Sequence, residues 1–365
     1  MKILQLIQRP QFRGAELFAT QLGNGLIGRG HECLMVTLFE GDADLPFTGR
    51  LIKLDRPGKK RLFDRAGWRE LARIVAEERP DVIQANAGDT LKFAIFSKLF
   101  NGWSTPVIFR NANKIGDFID TKPKYWFNKF FVNRLSHVIS VSELCRQDFV
   151  ATFRYPSDRI DMVQIGIDLR TVGGVPQDVA AIFARGPVLV NVASLVREKN
   201  HVGLLRIFSR LAGREAAAQL VIVGKGALGE SLKQEVARLG LSDRVHFLGA
   251  RKDVLEIIQA AQVFVLPSII EGLPGVILEA QYCKTPVVAY DVGGISEVVR
   301  SGATGWLVPK GDEAAFEAAV GEVLGGGASV DTIVDGAHAQ VLERFDNRVI
   351  AQRFETVYQR VIARG

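Results

Sequence analysis

Short apolar runs alternate with amphipathic stretches of helical length along nearly the whole chain. Such alternation predicts an α/β protein of parallel sheets joined by right-handed crossover helices. In the first half the expected strands are Lys2–Ile7, Glu32–Thr37, Val82–Ala85, Val107–Phe109 and His137–Val141. In the second half they are Val188–Val192, Gln219–Val223, Val245–Leu248, Val263–Leu266 and Val287–Ala289. Stretches such as Glu16–Gly28 and Asn200–Leu211 read as the intervening helices. Between the two sets, Gly166 to Pro176 is polar and Gly-rich and suits a linker. Residues 1–170 and 171–345 are therefore expected to form two doubly wound Rossmann-like domains facing across a cleft at the carboxyl ends of both sheets. Residues 346–365 carry Val349, Ile350, Phe354, Val357, Tyr358 and Val361 at helical spacing. They are expected to form a terminal helix crossing back onto the first domain.

A length of 365 residues agrees with two cores rather than one. No run approaches the roughly 20 apolar residues of a membrane span. The opening Met1–Ile7 resembles the start of a signal peptide, but Gln5, Gln8 and Arg9 interrupt it, and a first strand is the better reading. Cys33, Cys145 and Cys283 are odd in number and far apart, which speaks against a disulfide framework or a zinc site and for buried thiols in a reducing compartment. The formal charge of +6 is unevenly spread. Residues 1–170 hold 26 Lys and Arg against 19 Asp and Glu, and the remainder is nearly balanced. A basic half attracts anionic lipid, nucleic acid or an anionic substrate. No nucleic-acid motif accompanies it, so a membrane surface or an anionic acceptor ranks above nucleic acid.

The chemistry gathers at strand ends. Glu271 and Glu279 flank a Gly-Leu-Pro-Gly turn that leads from a buried strand into a helix. A helix N-terminus suits a phosphate, whereas two carboxylates beside it suit hydroxyl groups; a sugar attached to a diphosphate satisfies both. After Val192, Arg197 and Lys199 stand near the next helix start and form a candidate diphosphate clamp. After Val223 comes Gly224-Lys-Gly-Ala-Leu-Gly229, a literal G-x-G-x-x-G. A dinucleotide site also needs an acidic residue at the end of the following strand; that strand runs out as Phe247-Leu-Gly-Ala-Arg251. These glycines therefore let a nucleotide approach or simply turn the chain. Gly14, after the first strand, offers a close backbone approach of the same kind, or an ordinary turn. Asp42-Ala-Asp44 has a spacing used for divalent metal, but it sits among turn residues and is set aside; no metal site is expected. Lys122 to Arg134 interleaves cations with Tyr125, Trp126, Phe127, Phe130 and Phe131. It reads either as an interfacial helix on lipid or as a helix with its rings in the core.

Taken in order, these segments resemble the family four retaining glycosyltransferases of the GT-B fold. The resemblance runs through Gly14-Ala-Glu16, Val141-Ser-Glu143, Gly166-Ile-Asp168, Lys199-Asn200, Val221 to Gly226, Val245 to Arg251, Glu271 to Ala280, Gly293-Gly294 and Gly302 to Val308. It implies a donor wall in the second domain. Glu279 would hold the ribose and Glu271 would face the transferred sugar. Gly272, Leu273, Gly275 and Val276 would offer backbone amides, Lys199 would bind the diphosphate, and Ser194, Gly224, Gly226 and Arg251 would border the nucleotide. Gly14 would approach the phosphates from the first domain.

Glu271, Lys199 and Arg197 are the expected catalytic residues. Arg197 takes the place of an arginine often found in a Gly-Arg-Leu run, here Ala193-Ser194-Leu195. On the acceptor side, histidines common in the family are replaced by Gln84-Ala-Asn86 and by Arg110-Asn111. Neither Arg nor Asn serves as a neutral base, which leaves Asn86, Arg110 and Asn111 as acceptor contacts. The expected activity is metal-independent, cofactor-free transfer from a nucleoside-diphosphate sugar to a glycan or lipid-linked acceptor in envelope polysaccharide or lipopolysaccharide synthesis. The expected place is the cytoplasm, peripheral on the inner face of the membrane. A nucleotide-sugar epimerase of the same fold and an NAD-dependent oxidoreductase are the alternatives.

Overall fold

The computed structural model of the protein describes residues 1–58 and 63–364. They divide into two compact units, Met1–Asp168 with Asn347–Gly365, and Leu169–Asp346.

Unit 1 holds strands β1 (Lys2–Ile7), β2 (Glu32–Phe39), β3 (Arg50–Arg56), β4 (Val82–Ala85), β5 (Val107–Asn111), β6 (His137–Ser140) and β7 (Ile160–Met162). All pairings are parallel, in the order β3-β2-β1-β4-β5-β6-β7. Its first helices are α1 (Gly14–Gly28), α2 (Arg65–Glu78), α3 (Gly88–Asn101), α4 (Lys122–Val132) and α5 (Glu143–Phe153). Local chemistry fixes several of their starts: the Asp64 carboxylate accepts from Gly67 N at 3.0 Å, and Ser142 Oγ accepts from Cys145 N at 3.1 Å.

Successive strand residues point to opposite faces, and unit 1 uses its two faces differently. Leu4, Leu6, Ile83, Ala85, Val107, Phe109 and Val138 join Trp68, Leu71, Phe93, Phe131, Phe149 and Phe153 in an apolar core under α2 to α5. The alternate positions Gln5, Gln84 and Arg110 are also buried, on the other face.

Unit 2 holds α6 (Ala180–Phe183), β8 (Val188–Val192), α7 (His201–Arg214), β9 (Gln219–Val223), α8 (Gly229–Arg238), β10 (Val245–Gly249), α9 (Val254–Ala260), β11 (Val263–Leu266), α10 (Gly275–Tyr282), β12 (Val287–Tyr290), β13 (Trp306–Val308), α11 (Glu313–Gly325) and α12 (Ala328–Arg344). Its six strands are parallel in the order β10-β9-β8-β11-β12-β13. Counted within the unit that is 3-2-1-4-5-6, the doubly wound order whose switch point lies between its first and fourth strands, β8 and β11.

The last helix, α13 (Asn347–Ile362), belongs to unit 1. Ile350, Ala351, Phe354, Val357, Tyr358 and Val361 form its buried face, and Phe354 meets Phe18 of α1 with ring centroids 5.6 Å apart. Val349, expected in that stripe, is exposed, and Ala351 takes its place because Gly25 of α1 lets the two helices close there. Polar contacts seal the ends. The Asn347 amide donates to Asp168 Oδ1 at 2.6 Å, and Glu355 accepts from Arg29 Nε at 2.5 Å and pairs with His31 at 2.8 Å.

Of the two readings open for α4, the one that puts its rings in the core holds only in part: Phe131 is buried, while Trp126, Phe127 and Phe130 are exposed. Strands β3, β7 and β13 are not among the expected strands: β3 mixes Leu and Ile with charged residues, β7 and β13 have only three residues each, and all three lie at edges of their sheets. No helix among the described residues is long and apolar enough to cross a membrane. The three cysteines are buried, and none of them is in a disulfide.

Candidate active site

Strands β8 and β11 flank the switch point of unit 2, and the loops leaving their carboxyl ends carry the two central candidates. After β8 the chain passes Ser194, enters a single 3₁₀ turn at Arg197–Lys199, and starts α7 at His201. Asn200 makes the join in a left-handed conformation (φ 53°), and its amide donates to Pro267 O at 3.1 Å. After β11 the loop is held to the same turn: Ile269 N donates to Glu198 O at 2.8 Å. These two bonds, one from a side chain and one within the backbone, bring Lys199 Nζ to 2.5 Å from Glu271 Oε1. Glu271 is buried and Lys199 half-buried, so the pair is partly shielded from water. Arg197 stands exposed in the same turn.

A third loop fixes Glu271 from behind. Gly293, in the turn after β12, has φ 58°, and a Cβ there would lie 1.9 Å from Glu271 O. Its neighbour Gly294 N donates to Gly272 O at 2.6 Å. The sequence signal was the bare pair Gly293-Gly294 after an apolar strand.

Helix α10 starts at Gly275 behind Pro274, with no side-chain cap on its first turn. Gly272 and Leu273 precede it, Val276 follows, and Glu279 lies a turn further in, half-buried. An uncapped first turn presents N–H donors at the positive end of the helix dipole.

The glycines after β9 have a different task from the one their spacing advertises. Gly224 has φ 147°, and a Cβ on it would lie 2.0 Å from Ala193 O; one on Gly226 would lie 2.3 Å from Leu195 O. Leu195 N donates to Lys225 O at 3.1 Å, and Leu228 N to Leu195 O at 3.1 Å. The glycines thus let the β9 loop close onto the β8 loop, holding the turn that carries Lys199. Arg251, at the end of β10, gives both edges of its guanidinium to Asp253 and Asp178, which raise its pKa and occupy its donors.

His201 lies beneath Lys199 at the start of α7. It is buried, neither ring nitrogen has a hydrogen-bond partner, and burial together with the Lys199 cation lowers its pKa to about 4. It is neutral at pH 7. Sequence reasoning had passed it over.

Unit 1 places its candidates below the surface. Asn86 donates to Gln5 Oε1 at 2.9 Å, and its own Oδ1 accepts from Gln84 at 3.0 Å. Tyr358 of α13 closes this network by donating to Gln84 Oε1 at 2.6 Å. The amides that stand in for the family's histidines are thus engaged within unit 1. Asn111 donates to Ser140 Oγ and Cys145 O. Arg110 lies 3.9 Å over the Phe18 ring; burial lowers its pKa to about 10, and the nearby Glu16 carboxylate opposes that fall. Gly14, at the start of α1, differs from the glycines of unit 2, since a Cβ there would face open space. Among the described residues no group of three His, Cys, Asp or Glu side chains could hold a metal ion.

Comparison with known proteins agrees with this division. Residues 12–171 match the family model described as Glycosyltransferase Family 4, and residues 177–336 match Glycosyl transferases group 1. Among curated relatives, the N-acetyl-alpha-D-glucosaminyl L-malate synthase of Bacillus anthracis is 29% identical over 175 residues, 48% of this chain and 46% of that one. The alpha-maltose-1-phosphate synthase of Mycobacterium tuberculosis is 29% identical over 263 residues, 65% and 66% of the two chains. The chain spans about half the length of the first curated relatives it matches. Among solved structures, HepE of Anabaena in complex with UDP and glucose superposes with a TM-score of 0.83 at 22% identity, covering 98% of this chain and 99% of that one. Sucrose-phosphate synthase from Thermosynechococcus elongatus gives 0.84 at 21% identity, with both chains wholly covered. At such identities the likeness concerns the fold.

Proposed function

This chain belongs to the family four glycosyltransferases of the GT-B fold, and from that premise we propose that it transfers a hexose-type sugar from a nucleoside diphosphate to a hydroxyl with retention of anomeric configuration. The observation that carries the reading is the Lys199–Glu271 pair at the switch point of unit 2, beside the uncapped start of α10. A diphosphate satisfies that helix start and the remaining donors of Lys199, with Arg197 exposed in the same turn to add charge. Glu271 faces the transferred sugar, and Glu279 binds the ribose. Backbone amides from Gly272 to Val276 hold the sugar and the phosphates, and Ser194 and Arg251 border the nucleotide. Gly14 and the deeper Asn86, Arg110 and Asn111 are the contacts assigned to unit 1.

The step breaks the bond between the anomeric carbon and the phosphate oxygen. It forms a bond from the same carbon, on the same face, to the acceptor oxygen. The acceptor's proton passes to the departing phosphate. Positive charge fixed before the reaction stabilises the leaving group at the moment its own charge develops. The acceptor is a glycan or a lipid-linked precursor of envelope polysaccharide, and UDP is the first nucleotide to test, because it is bound in the HepE structure.

Lys199→Ala and Glu271→Ala are each expected to lower transfer by roughly a hundredfold or more, with the chain still folded and Lys199→Ala melting lower because it leaves Glu271 buried without its partner. Full activity in both would sink the proposal. Thermal-shift titrations with UDP, GDP, ADP and NAD identify the ligand, since a bound ligand stabilises by mass action. Stabilisation by NAD alone would return the oxidoreductase reading. Release of an altered free sugar without any acceptor would point to the epimerase.

A further inference from the structure

The rings of α4 that the core leaves out are not scattered. Phe131, buried, sits at the centre of a connected group, with centroids 5.1 Å from Phe127, 5.2 Å from Phe130 and 5.0 Å from Phe96 of α3. Phe96 continues to Phe63 at 6.5 Å and to Phe100 at 6.2 Å, and Phe100 stacks on Trp68 with their planes 5° apart. The outer members face solvent: Phe63 is 80% exposed and Phe100 60%. Trp126, one turn before Phe130 on α4 and edge-on to Tyr125, is 67% exposed. Leu99 is exposed beside them. Single exposed apolar residues are ordinary; a contiguous aromatic surface marks a binding face.

What borders the rings identifies the partner. Arg134 lies 3.7 Å over Phe130, and Lys92 5.6 Å from the Phe127 centroid. Lys122 and Lys124 are exposed in the first turn of α4, whereas Lys129 is half-buried and donates to Phe153 O. Helix α4 contains no acidic residue. Asp120 lies 3.4 Å from Lys124 and Asp117 3.9 Å from Lys114, and Asp64, which follows Phe63, is buried against Arg56. Protein–protein interfaces are depleted in lysine. Tryptophan and phenylalanine fringed by lysine and arginine match the boundary between acyl chains and anionic headgroups.

We propose that the aromatic and basic face of α3, α4 and Phe63 docks on the surface of an anionic lipid bilayer, with Trp126, Phe63 and Phe100 entering the headgroup boundary and Lys122, Lys124 and Arg134 contacting lipid phosphates. The face is wholly in unit 1, and its use does not rest on the transfer reading. The test is flotation of the full chain with vesicles of phosphatidylcholine, with or without phosphatidylglycerol, in the absence of donor and acceptor. The wild type is expected to float with the anionic vesicles only, and progressively less as salt rises. Lys122→Glu with Lys124→Glu is expected to weaken binding at least about tenfold. Trp126→Ser with Phe63→Ser is expected to do the same through the apolar contact. These positions are exposed, so unchanged melting and unchanged nucleotide binding separate lost docking from lost folding. Failure of the wild type to float, or equal flotation of both variants, overturns the proposal. So does lipid-free self-association of the wild type that the ring variant abolishes, which would assign the face to a second copy.

Discussion

His201 shows how one buried side chain can set a pH limit. Its folded pKa of about 4 lies below the ordinary value of 6.5, so the unfolded chain takes up a proton first as pH falls. Stability from the neutral ring is therefore fully present above pH 6.5 and is lost progressively as pH falls toward 4. Between pH 7 and pH 5 the loss amounts to about 2 kcal/mol. Glu16 has the opposite sign, because burial raises its pKa and its contribution fades as pH rises. Urea denaturation of wild type and His201→Asn at the two pH values isolates the histidine by difference. A shallower acid dependence is expected in the variant, and identical slopes would assign the effect elsewhere. Tyr358 offers a second test at this scale. Tyr358→Phe leaves Gln84 Oε1 without its donor in a buried network and should cost about 1–3 kcal/mol of stability.

Loops and edges carry the burden at the scale of elements. Gly293 and Gly14 are both glycines at strand–helix turns, yet a Cβ on the first strikes Glu271 O while one on the second meets nothing. Gly293→Ala should therefore lower the melting temperature and displace Glu271, reducing transfer. Gly14→Ala should melt as the wild type does. Equal melting of both would show that the β12 turn does not hold Glu271. The same contrast explains what could be read from the chain. Strands β1, β4, β8, β9 and β11 lie inside their sheets, are covered on both faces, and so appear as mainly apolar runs, with Gln5, Gln84 and Asn191 among the polar residues within them. Strand β3 alternates Leu and Ile with Lys, Asp and Arg, and β7 and β13 have three residues each. Edge strands need neither length nor two apolar faces, so they leave little trace. The Lys199 and Glu271 positions were legible because each follows such a run. The mutual support of the β8, β9 and β12 loops was not, because backbone contacts leave no side-chain signature.

The whole molecule is two units threaded by one chain that leaves unit 1 after Asp168 and returns to it at Asn347. Removing residues 347–365 would strip unit 1 of Ile350, Phe354, Val357, Tyr358 and Val361, each worth about 1.5–3 kcal/mol when fully buried. That sum rivals the whole stability of an ordinary domain. The truncated chain should lose the unit 1 melting transition and keep that of unit 2, as calorimetry can test; survival of both transitions would mean that α13 is dispensable. This threading also sets an order of events on the ribosome. Unit 2 is one uninterrupted stretch and can close as soon as Asp346 has emerged. Unit 1, begun first, must wait with its Gln5 and Gln84 amides uncovered until Tyr358 has emerged as well. The half of the molecule that starts folding first is thus the last to finish, and it spends that interval dependent on whatever shelters a nascent chain.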